Sequence, residues 1–378
     1  MNKLVLIGIN ALRGLSGPVF NFLIALFAIK FYGKEDWGTM INILLSVFLI
    51  VFIISWGNKD YLIRKYSQQP SKVYNAFYSN FFSRSLLLPL ALLILFFFPL
   101  KIAVWSIVLV LLIHSYNALE SLVIYHQKFG SQFIGELIAF LIILGSIFYF
   151  KNFNLETFLK LYCSTFLFKF IWLIIALKLW KEHFHSKISP TEFKAAFWFF
   201  MLGLSGWVAS KIDLYIVNFT MPKAQISEYQ IAITAFLLIQ SLSYLIILPF
   251  NKHLYRIPTK SIAKIKRILA LTSFPIVSIC TVILWFILEK IALLNLPLSF
   301  YILGGCASIP TYFFIVDIMM YYRNKKESSI LKINFINAIL NLIITYVLIQ
   351  KMGIIGAIIS VLINQCSFLC FYKFKLIK

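Results

Sequence analysis

The chain has 378 residues, of which 61% are hydrophobic and only 13% are charged. A soluble globular protein carries roughly 25% charged residues, so this composition leaves too little charge to cover a surface that faces water. The formal net charge of +22 would suggest a nucleic-acid partner in a soluble protein. The composition instead predicts a membrane protein, in which basic residues concentrate on the cytoplasmic side.

Apolar segments long enough to cross a bilayer recur along the whole chain. A spanning helix needs roughly 20 mostly apolar residues, and uninterrupted apolar runs of this length leave no alternating face for a β-barrel. Every connection between them is short, which leaves no room for a soluble domain. We therefore predict an all-α polytopic membrane protein with about twelve transmembrane helices, at Asn10–Tyr32, Thr39–Ser55, Phe82–Phe98, Ala103–Ile124, Ile134–Phe150, Leu155–Leu179, Ala195–Thr220, Gln230–Phe250, Ile268–Leu288, Leu296–Met320, Ile330–Ile349 and Gly353–Phe371.

The basic residues indicate the orientation of these helices. With the N-terminus in the cytoplasm, most of the 35 Lys and Arg residues fall in connections on the cytoplasmic side. The first apolar segment is long and is followed at once by another, which favours a retained helix over a cleaved signal peptide. We predict a multi-pass protein of the bacterial inner membrane with both termini in the cytoplasm, and the charge needs no nucleic acid to explain it.

Three short patterns recur in the same order in the two halves of the chain. They are GLSG, an Asn-Lys pair, and an acidic residue followed by Tyr and then Lys, at Gly14–Gly17 and Gly203–Gly206, at Asn58 and Asn251, and at Glu120 and Asp317. Because each half has an even number of predicted helices, the halves would be parallel repeats around an axis along the membrane normal. We predict two six-helix lobes, residues 1–185 and 186–378, on either side of a central cleft.

Charges within the predicted spans mark candidate sites, because a charge near mid-bilayer costs at least ~2.5–3.5 kcal/mol. Arg13 shares a stripe of small and polar residues with Gly17 and Asn21 near the cytoplasmic end of the first helix. It either snorkels to the inner surface or binds a ligand. Lys169 lies near the middle of the sixth helix, too deep for snorkelling, whereas Lys160 is close enough to the outer end to snorkel outward.

The second half carries further polar residues in its predicted spans. Lys211 and Asp213 are two residues apart on the seventh helix, so they point to different faces and cannot pair with each other. For Asp213, in the outer half of the membrane, we expect an ion pair. Asn341 belongs to an amide stripe on the eleventh helix, where such groups can also join helices. The equivalent carboxylates Glu120 and Asp317 either close an inner gate or balance nearby Lys.

The sequence predicts no catalytic centre, metal site or cofactor. The five cysteines lie inside apolar segments, and His183 and His185 form a lone His-x-His in a polar connection. The short connections lack a nucleophile with its base, and no glycine-rich phosphate loop is present. We therefore do not expect an enzyme.

One segment resembles a known family. The second half opens with GLSGWVASKIDLYIVNFTMPKAQISEYQIA at Gly203–Ala232, in which a helix carrying Asp213 leads through a short loop into Ser227-Glu228-Tyr229. This pattern, with GIIGAIIS at Gly353–Ser360, resembles the polysaccharide/O-antigen flippases of the multidrug/oligosaccharidyl-lipid/polysaccharide exporter superfamily. The resemblance implies a twelve-helix, two-lobe flippase that moves an undecaprenyl-pyrophosphate-linked oligosaccharide from the inner to the outer leaflet by alternating access.

The resemblance also implies partners and roles. The partners would be the lipid-linked oligosaccharide, membrane lipids and a coupling ion, either H+ or Na+, and no oligomeric state is predicted. Cations would offset the dianionic pyrophosphate, and amides would bind sugars. The predicted substrate-binding residues are Arg13, Lys169, Lys211, Asn21 and Asn341. The predicted gating or ion-coupling residues are Asp213, Glu120 and Asp317.

Two other functions compete with this interpretation. A cation-coupled multidrug exporter of the same superfamily would need an acidic cleft. The charges within the spans are balanced, and a cleft that contains three or four cations instead favours an anionic substrate. A polysaccharide polymerase or lipid-linked glycosyltransferase would need a sizeable external loop with catalytic groups, and the external connections are short. The predicted helix count also argues against the fourteen-helix lipid II flippases.

Overall fold

The computed structural model describes residues 3–150, 154–182, 188–247, 259–324 and 326–374. These residues are helical nearly throughout and contain no strand, which confirms the predicted all-α polytopic membrane fold. The helices, in chain order, are α1 Lys3–Tyr32, α2 Lys34–Ser55, α3 Asn58–Gln68, α4 Val73–Ser85, α5 Leu100–Tyr125, α6 Phe129–Tyr149, α7 Leu155–Leu177, α8 Thr191–Thr220, α9 Lys223–Ile247, α10 Thr259–Lys290, α11 Leu298–Arg323 and α12 Glu327–Phe374.

Within the described residues, 10 helical segments are long and apolar enough to cross a membrane. α12 counts as one of them, although its 48 residues would extend about 72 Å, more than twice the thickness of a bilayer core. It changes direction at Gly353, where φ is 58° and ψ is −135°, a conformation that glycine adopts readily. α12 therefore supplies the last two predicted spans. α9, which is described only as far as Ile247, is not among the 10.

The third predicted span begins earlier than expected. α4 starts at Val73, and the chain continues beyond Ser85 as a 3-10 helix, Leu88–Phe96. Pro89 interrupts the α-helical hydrogen bonds there because it has no backbone N–H. The early start places Arg84 in the last turn of α4, where it is buried.

The chain divides into two compact units. Unit 1 comprises Met1–Phe20 and Thr39–Gly203, and unit 2 comprises Asn21–Gly38 and Leu204–Lys378. α1 and α8 therefore each contribute residues to both units. The predicted lobes, with their boundary between residues 185 and 186, stay a prediction.

Each unit has its own apolar core. In unit 1, α3 buries one face against α4, α5 and α7 through a cluster that includes Leu62, Tyr66 and Leu122. In unit 2, the ring of Phe300 lies between those of Tyr229 and Phe236, with ring centroids 6.4 and 6.3 Å away. The helices that carry the polar sites pack together through these cores.

We expect Gly57→Ala to destabilise unit 1. Gly57 has a φ of +68°, and a Cβ there would lie 2.5 Å from the backbone nitrogen of Phe200. Because both the backbone conformation and the neighbouring atoms exclude a side chain, the substitution should lower the free energy of unfolding by more than about 1 kcal/mol. It should lower the thermal unfolding midpoint of the purified protein in detergent. The matched control is Gly145→Ala in α6, where nothing lies within 4 Å of the added Cβ; equal midpoints for the two variants would contradict the expectation.

Candidate functional site

Arg13 of α1 lies between α5 and α6 in unit 1. Its Nη1 is 2.9 Å from Oε1 of Gln132 and 3.3 Å from Oε1 of Glu120, and its side chain is 12% exposed. The guanidinium carbon lies 5.3 Å from the centroid of the Phe129 ring, within the range of a cation–π contact. Its buried Nε has no hydrogen-bond partner among the described residues. Arg13 is thus held by one carboxylate and one amide and keeps an unused donor.

Glu120 is shared between two cations. Lys59 of α3 donates to the same Oε1 atom of Glu120, at 2.8 Å. Lys59 is the more exposed partner, with 44% of its side chain accessible. The carboxylate of Glu120 can therefore leave Arg13 and remain paired with Lys59.

A second carboxylate, Glu136, lies one turn further along α6 from Gln132. Its Oε2 is 2.5 Å from Oγ of Ser16, and its Oε1 accepts a hydrogen bond from the hydroxyl of Tyr116 at 2.9 Å. Gln132 Nε2 donates to Tyr116 at 3.2 Å and to Glu136 at 3.3 Å. The sequence pattern did not single out Ser16, Tyr116 or Gln132, although the four-residue spacing of Gln132 and Glu136 could have indicated a shared face.

Lys169 of α7 completes this group. Its Nζ lies 3.5 Å from the centroid of the Phe166 ring and 4.8 Å from that of Tyr116, and it is close enough to interact electrostatically with Glu136. Lys160, on the same helix, forms an ion pair with Glu156 at 2.6 Å and is 45% exposed. We call the following residues the unit 1 polar cluster: Arg13, Ser16, Tyr116, Glu120, Gln132, Glu136 and Lys169.

In unit 2, Asp213 is buried and bonded to the motif that follows it. The hydroxyl of Tyr229 donates to Oδ2 of Asp213 at 2.5 Å, and Asp213 is 5% exposed. The neighbouring Glu228 accepts from Lys34 of α2 at 2.5 Å. Lys211 makes no hydrogen bond or ion pair with the described residues, but it is close enough to Asp213 to interact with it electrostatically. The Ser227-Glu228-Tyr229 motif therefore fixes the start of α9 to both α8 and α2.

The remaining predicted site residues lie elsewhere. Asn341 is 3% exposed, and its Oδ1 accepts from Thr345 in the same helix at 2.9 Å. Asp317 pairs with Lys266 of α10. Asn21 is exposed and has no polar partner in the described part of the chain. Of the predicted site residues, the structure thus brings Arg13 and Glu120 into contact and gives Asp317 a separate cation.

A buried ionic cluster at the start of α8 was not predicted. Arg84 is 0% exposed, and its Nη2 donates to the backbone oxygen of Glu192 at 3.2 Å. Its guanidinium also stacks 4.5 Å from the Phe193 ring centroid. The carboxylate of Glu192 accepts from Lys65 at 2.5 Å and from Asn80 at 3.4 Å. These contacts join α3, α4 and α8 within unit 1.

The described residues hold no group of three His, Cys, Asp or Glu side chains that could bind a metal ion. His183 and His185 lie outside them, as do the second Asn-Lys pair at Asn251 and Lys325 of the third repeat. The polar groups that the structure brings together are suited to ion pairs and hydrogen bonds with a ligand.

Comparison with known proteins shows the fold. No family model and no curated protein matches the chain. Among solved structures, the lipid II flippase MurJ in an inward closed conformation superimposes with a TM-score of 0.66 at 14% sequence identity. The alignment covers 97% of this chain and 87% of the MurJ chain. The chain therefore has a MurJ-like fold over nearly its whole length.

Proposed function

We propose that the chain is a flippase that moves a polyprenyl-pyrophosphate-linked oligosaccharide, the repeat unit of O-antigen or another surface polysaccharide, by alternating access. The observation that carries this proposal is the setting of Arg13. A guanidinium inside a membrane-crossing segment is costly, and here it is held by a carboxylate that has an alternative cation, Lys59.

The geometry of Arg13 suits exchange of one anion for another. A guanidinium binds carboxylate and phosphate in the same bidentate manner. A pyrophosphate could therefore take the place of Glu120, while Glu120 stays on Lys59 and the free Nε of Arg13 becomes a further donor. Lys169 supplies a second cation on the same unit, next to the aromatic rings of Tyr116 and Phe166, against which sugar rings can pack.

The MurJ-like fold supports the proposal at the level of architecture. The name of that protein states that it flips lipid II, and we extend to this chain a lipid-linked substrate. The finer predictions that Lys169 and Lys211 line a common cleft, and that buried Asp213 or Asp317 helps to couple an ion, stay predictions.

The test is transport by the purified chain in vesicles. A fluorescent disaccharide linked to undecaprenyl pyrophosphate, placed in both leaflets, should become accessible to an impermeant quencher when the protein is present. Vesicles without protein provide the control. Efflux of the cationic dye ethidium without movement of the lipid-linked sugar would contradict the proposal and favour the multidrug exporter.

The orientation can be tested at the two ends of α10. We expect Lys290→Cys to react with an impermeant maleimide in spheroplasts, and Lys260→Cys to react only after the membrane is permeabilised, because the basic residues concentrate on the Lys260 side. Both changes are made after the native cysteines have been replaced. Labelling of Lys260→Cys from outside would reverse the predicted topology and place both termini outside.

A further inference from the structure

A cavity of about 600 Å³ lies in unit 2, where α10 ends and α11 begins. Volumes of roughly 300–1,000 Å³ are usual for sites that bind small molecules. The segment Ile262–Lys290 is long and apolar enough to cross a membrane, so this end of α10 lies at the membrane surface. Trp285, in the last turns of α10, lines the cavity, and tryptophan is common at the level of the lipid headgroups. The cavity therefore lies among headgroups.

The wall of this cavity combines apolar and polar side chains. Its apolar part consists mainly of four leucines, of which Leu293 and Leu298 are 65% and 60% exposed. Its polar part consists of Glu289, Lys290 and Asn295. A ligand that matches this wall is an amphiphile, because its hydrocarbon can lie against the exposed leucines while its charged end meets the polar side chains. A phospholipid has this division.

The polar part presents two opposite charges side by side. Nζ of Lys290 is 3.5 Å from Oε1 of Glu289, and the two side chains are 60% and 39% exposed. This distance exceeds the roughly 2.7–2.9 Å of a direct charge-assisted hydrogen bond, and exposed ion pairs contribute little stability. The carbonyl groups at the C-terminal end of α10 add a partial negative charge beside Glu289. Both charges are therefore available to a ligand that itself carries a cation and an anion.

The backbone at Leu293 is a second, independent indication of a binding site. Its φ is 52°, in the left-handed region that a side chain makes unfavourable. The amide of Leu294 donates to the backbone oxygen of Leu288 at 3.1 Å and closes the end of α10 around this residue. Glycine is the usual residue in the left-handed position that ends a helix. The chain instead places an exposed leucine there, at the cavity, despite the strained backbone.

We propose that this cavity binds a phospholipid whose headgroup joins a phosphate to a primary ammonium, as in phosphatidylethanolamine. Lys290 pairs with the phosphate, Glu289 accepts hydrogen bonds from the ammonium, and an acyl chain lies against Leu293 and Leu298. A choline headgroup has no N–H to donate to Glu289, and a phosphoglycerol headgroup has no cation, so neither satisfies both charges. This lipid site is separate from the unit 1 polar cluster and does not depend on what the chain transports.

The headgroup preference can be measured by native mass spectrometry of the full chain in detergent. Dioleoyl phosphatidylethanolamine, phosphatidylcholine and phosphatidylglycerol are added separately at equal concentrations. The native chain should retain the ethanolamine lipid at about 10-fold lower concentration than the other two, the factor expected for one hydrogen bond to a charged group. Glu289→Gln keeps the size of the side chain and should reduce retention of the ethanolamine lipid to that of the choline lipid.

The matched control is Glu156→Gln, which removes the exposed carboxylate paired with Lys160 at the start of α7. This variant should keep the preference for the ethanolamine lipid. Equal retention of the three lipids by the native chain would mean adventitious binding only and would overturn the proposal. So would a preference that survives unchanged in Glu289→Gln.

Leu293→Gly separates lipid binding from a purely structural role of this residue. Glycine suits the left-handed backbone, so the thermal unfolding midpoint in lipid-free detergent should stay equal to that of the native chain or rise. Retention of all three lipids should fall about 10-fold, because the contact with the acyl chain is lost and that chain is common to them. The order of the three lipids should remain. A higher midpoint with undiminished lipid retention would show that Leu293 only ends the helix and would refute the placement of the acyl chain.

Discussion

Replacement of Arg13 by alanine is expected to lower the rate at which the lipid-linked sugar moves by about 10-fold or more, while the protein is still inserted in the membrane. Arg13 provides the guanidinium that would hold the pyrophosphate, and hydrogen bonds to charged groups contribute roughly 1.5–3 kcal/mol each. The loss of one or two such bonds corresponds to a fall in transport of about 10-fold to more than 100-fold. The measurement is the initial rate of quencher access in the vesicle assay, at equal amounts of reconstituted protein.

Two further variants separate charge from geometry at this position. Arg13→Lys should retain part of the rate, because an ammonium keeps the charge and loses the bidentate fork. Lys160→Ala serves as the matched control, because it removes an exposed cation from another membrane helix, α7, where Lys160 pairs with Glu156. Full transport by Arg13→Ala would show that this residue anchors α1 at the membrane surface, and Lys169 would then be the remaining cation of the unit 1 polar cluster.

Glu192→Ala is expected to destabilise unit 1 by about 3–5 kcal/mol, the usual cost of removing one partner of a buried ion pair. The carboxylate of Glu192 forms an ion pair with Lys65 and lies beside the fully buried Arg84. Its removal would leave the charge of Arg84 uncompensated away from water, since Arg84 has two further nitrogens without partners in the described structure. The measurement is the thermal unfolding midpoint in detergent.

A control and a compensating change make this result specific. Glu289→Ala removes a carboxylate whose ion pair with Lys290 is exposed, and such pairs contribute about 0–1 kcal/mol. The double variant Glu192→Ala with Arg84→Met should recover part of the loss, because it removes the buried charge that Glu192→Ala leaves uncompensated. A midpoint for Glu192→Ala equal to that of Glu289→Ala would show that the cluster contributes no stability.

The membrane fold could be predicted from the sequence because it depends on local properties. The length of each apolar segment and its lack of charged residues determine where helices cross a bilayer. Both properties can be read from the sequence without knowing which helices are neighbours. The differences arose where a local pattern was ambiguous. The two predicted spans of α12 are separated by the non-helical Gly353, and α4 begins before the apolar run, which places the buried Arg84 in its last turn.

The candidate site could be predicted only in part, because its geometry depends on which helices pack together. Arg13 was identifiable as a charge at membrane depth, and the structure shows that Glu120 contacts it. The roles of Ser16 and Tyr116 could not be inferred, since a serine or a tyrosine in an apolar helix is common and becomes informative only when α1, α5 and α6 bring them to Glu136. The same reasoning applies to the bond between Asp213 and Tyr229.

The division of α1 between the two units has a consequence for biosynthesis. Asn21–Gly38 leaves the ribosome early but belongs to unit 2, whose other residues begin at Leu204. Lys34 bonds to Glu228 and Trp37 bonds to Gln230, which follow them in the chain by 194 and 193 residues. Neither bond can form until those later residues have been synthesised. Since domains usually fold in the order of synthesis, the segment Asn21–Gly38 must stay in the bilayer without its unit 2 partners while unit 1 assembles. Release of the nascent chain before α9 emerges would therefore leave Lys34 and Trp37 exposed, and such truncated products should be preferred substrates of membrane quality-control proteases.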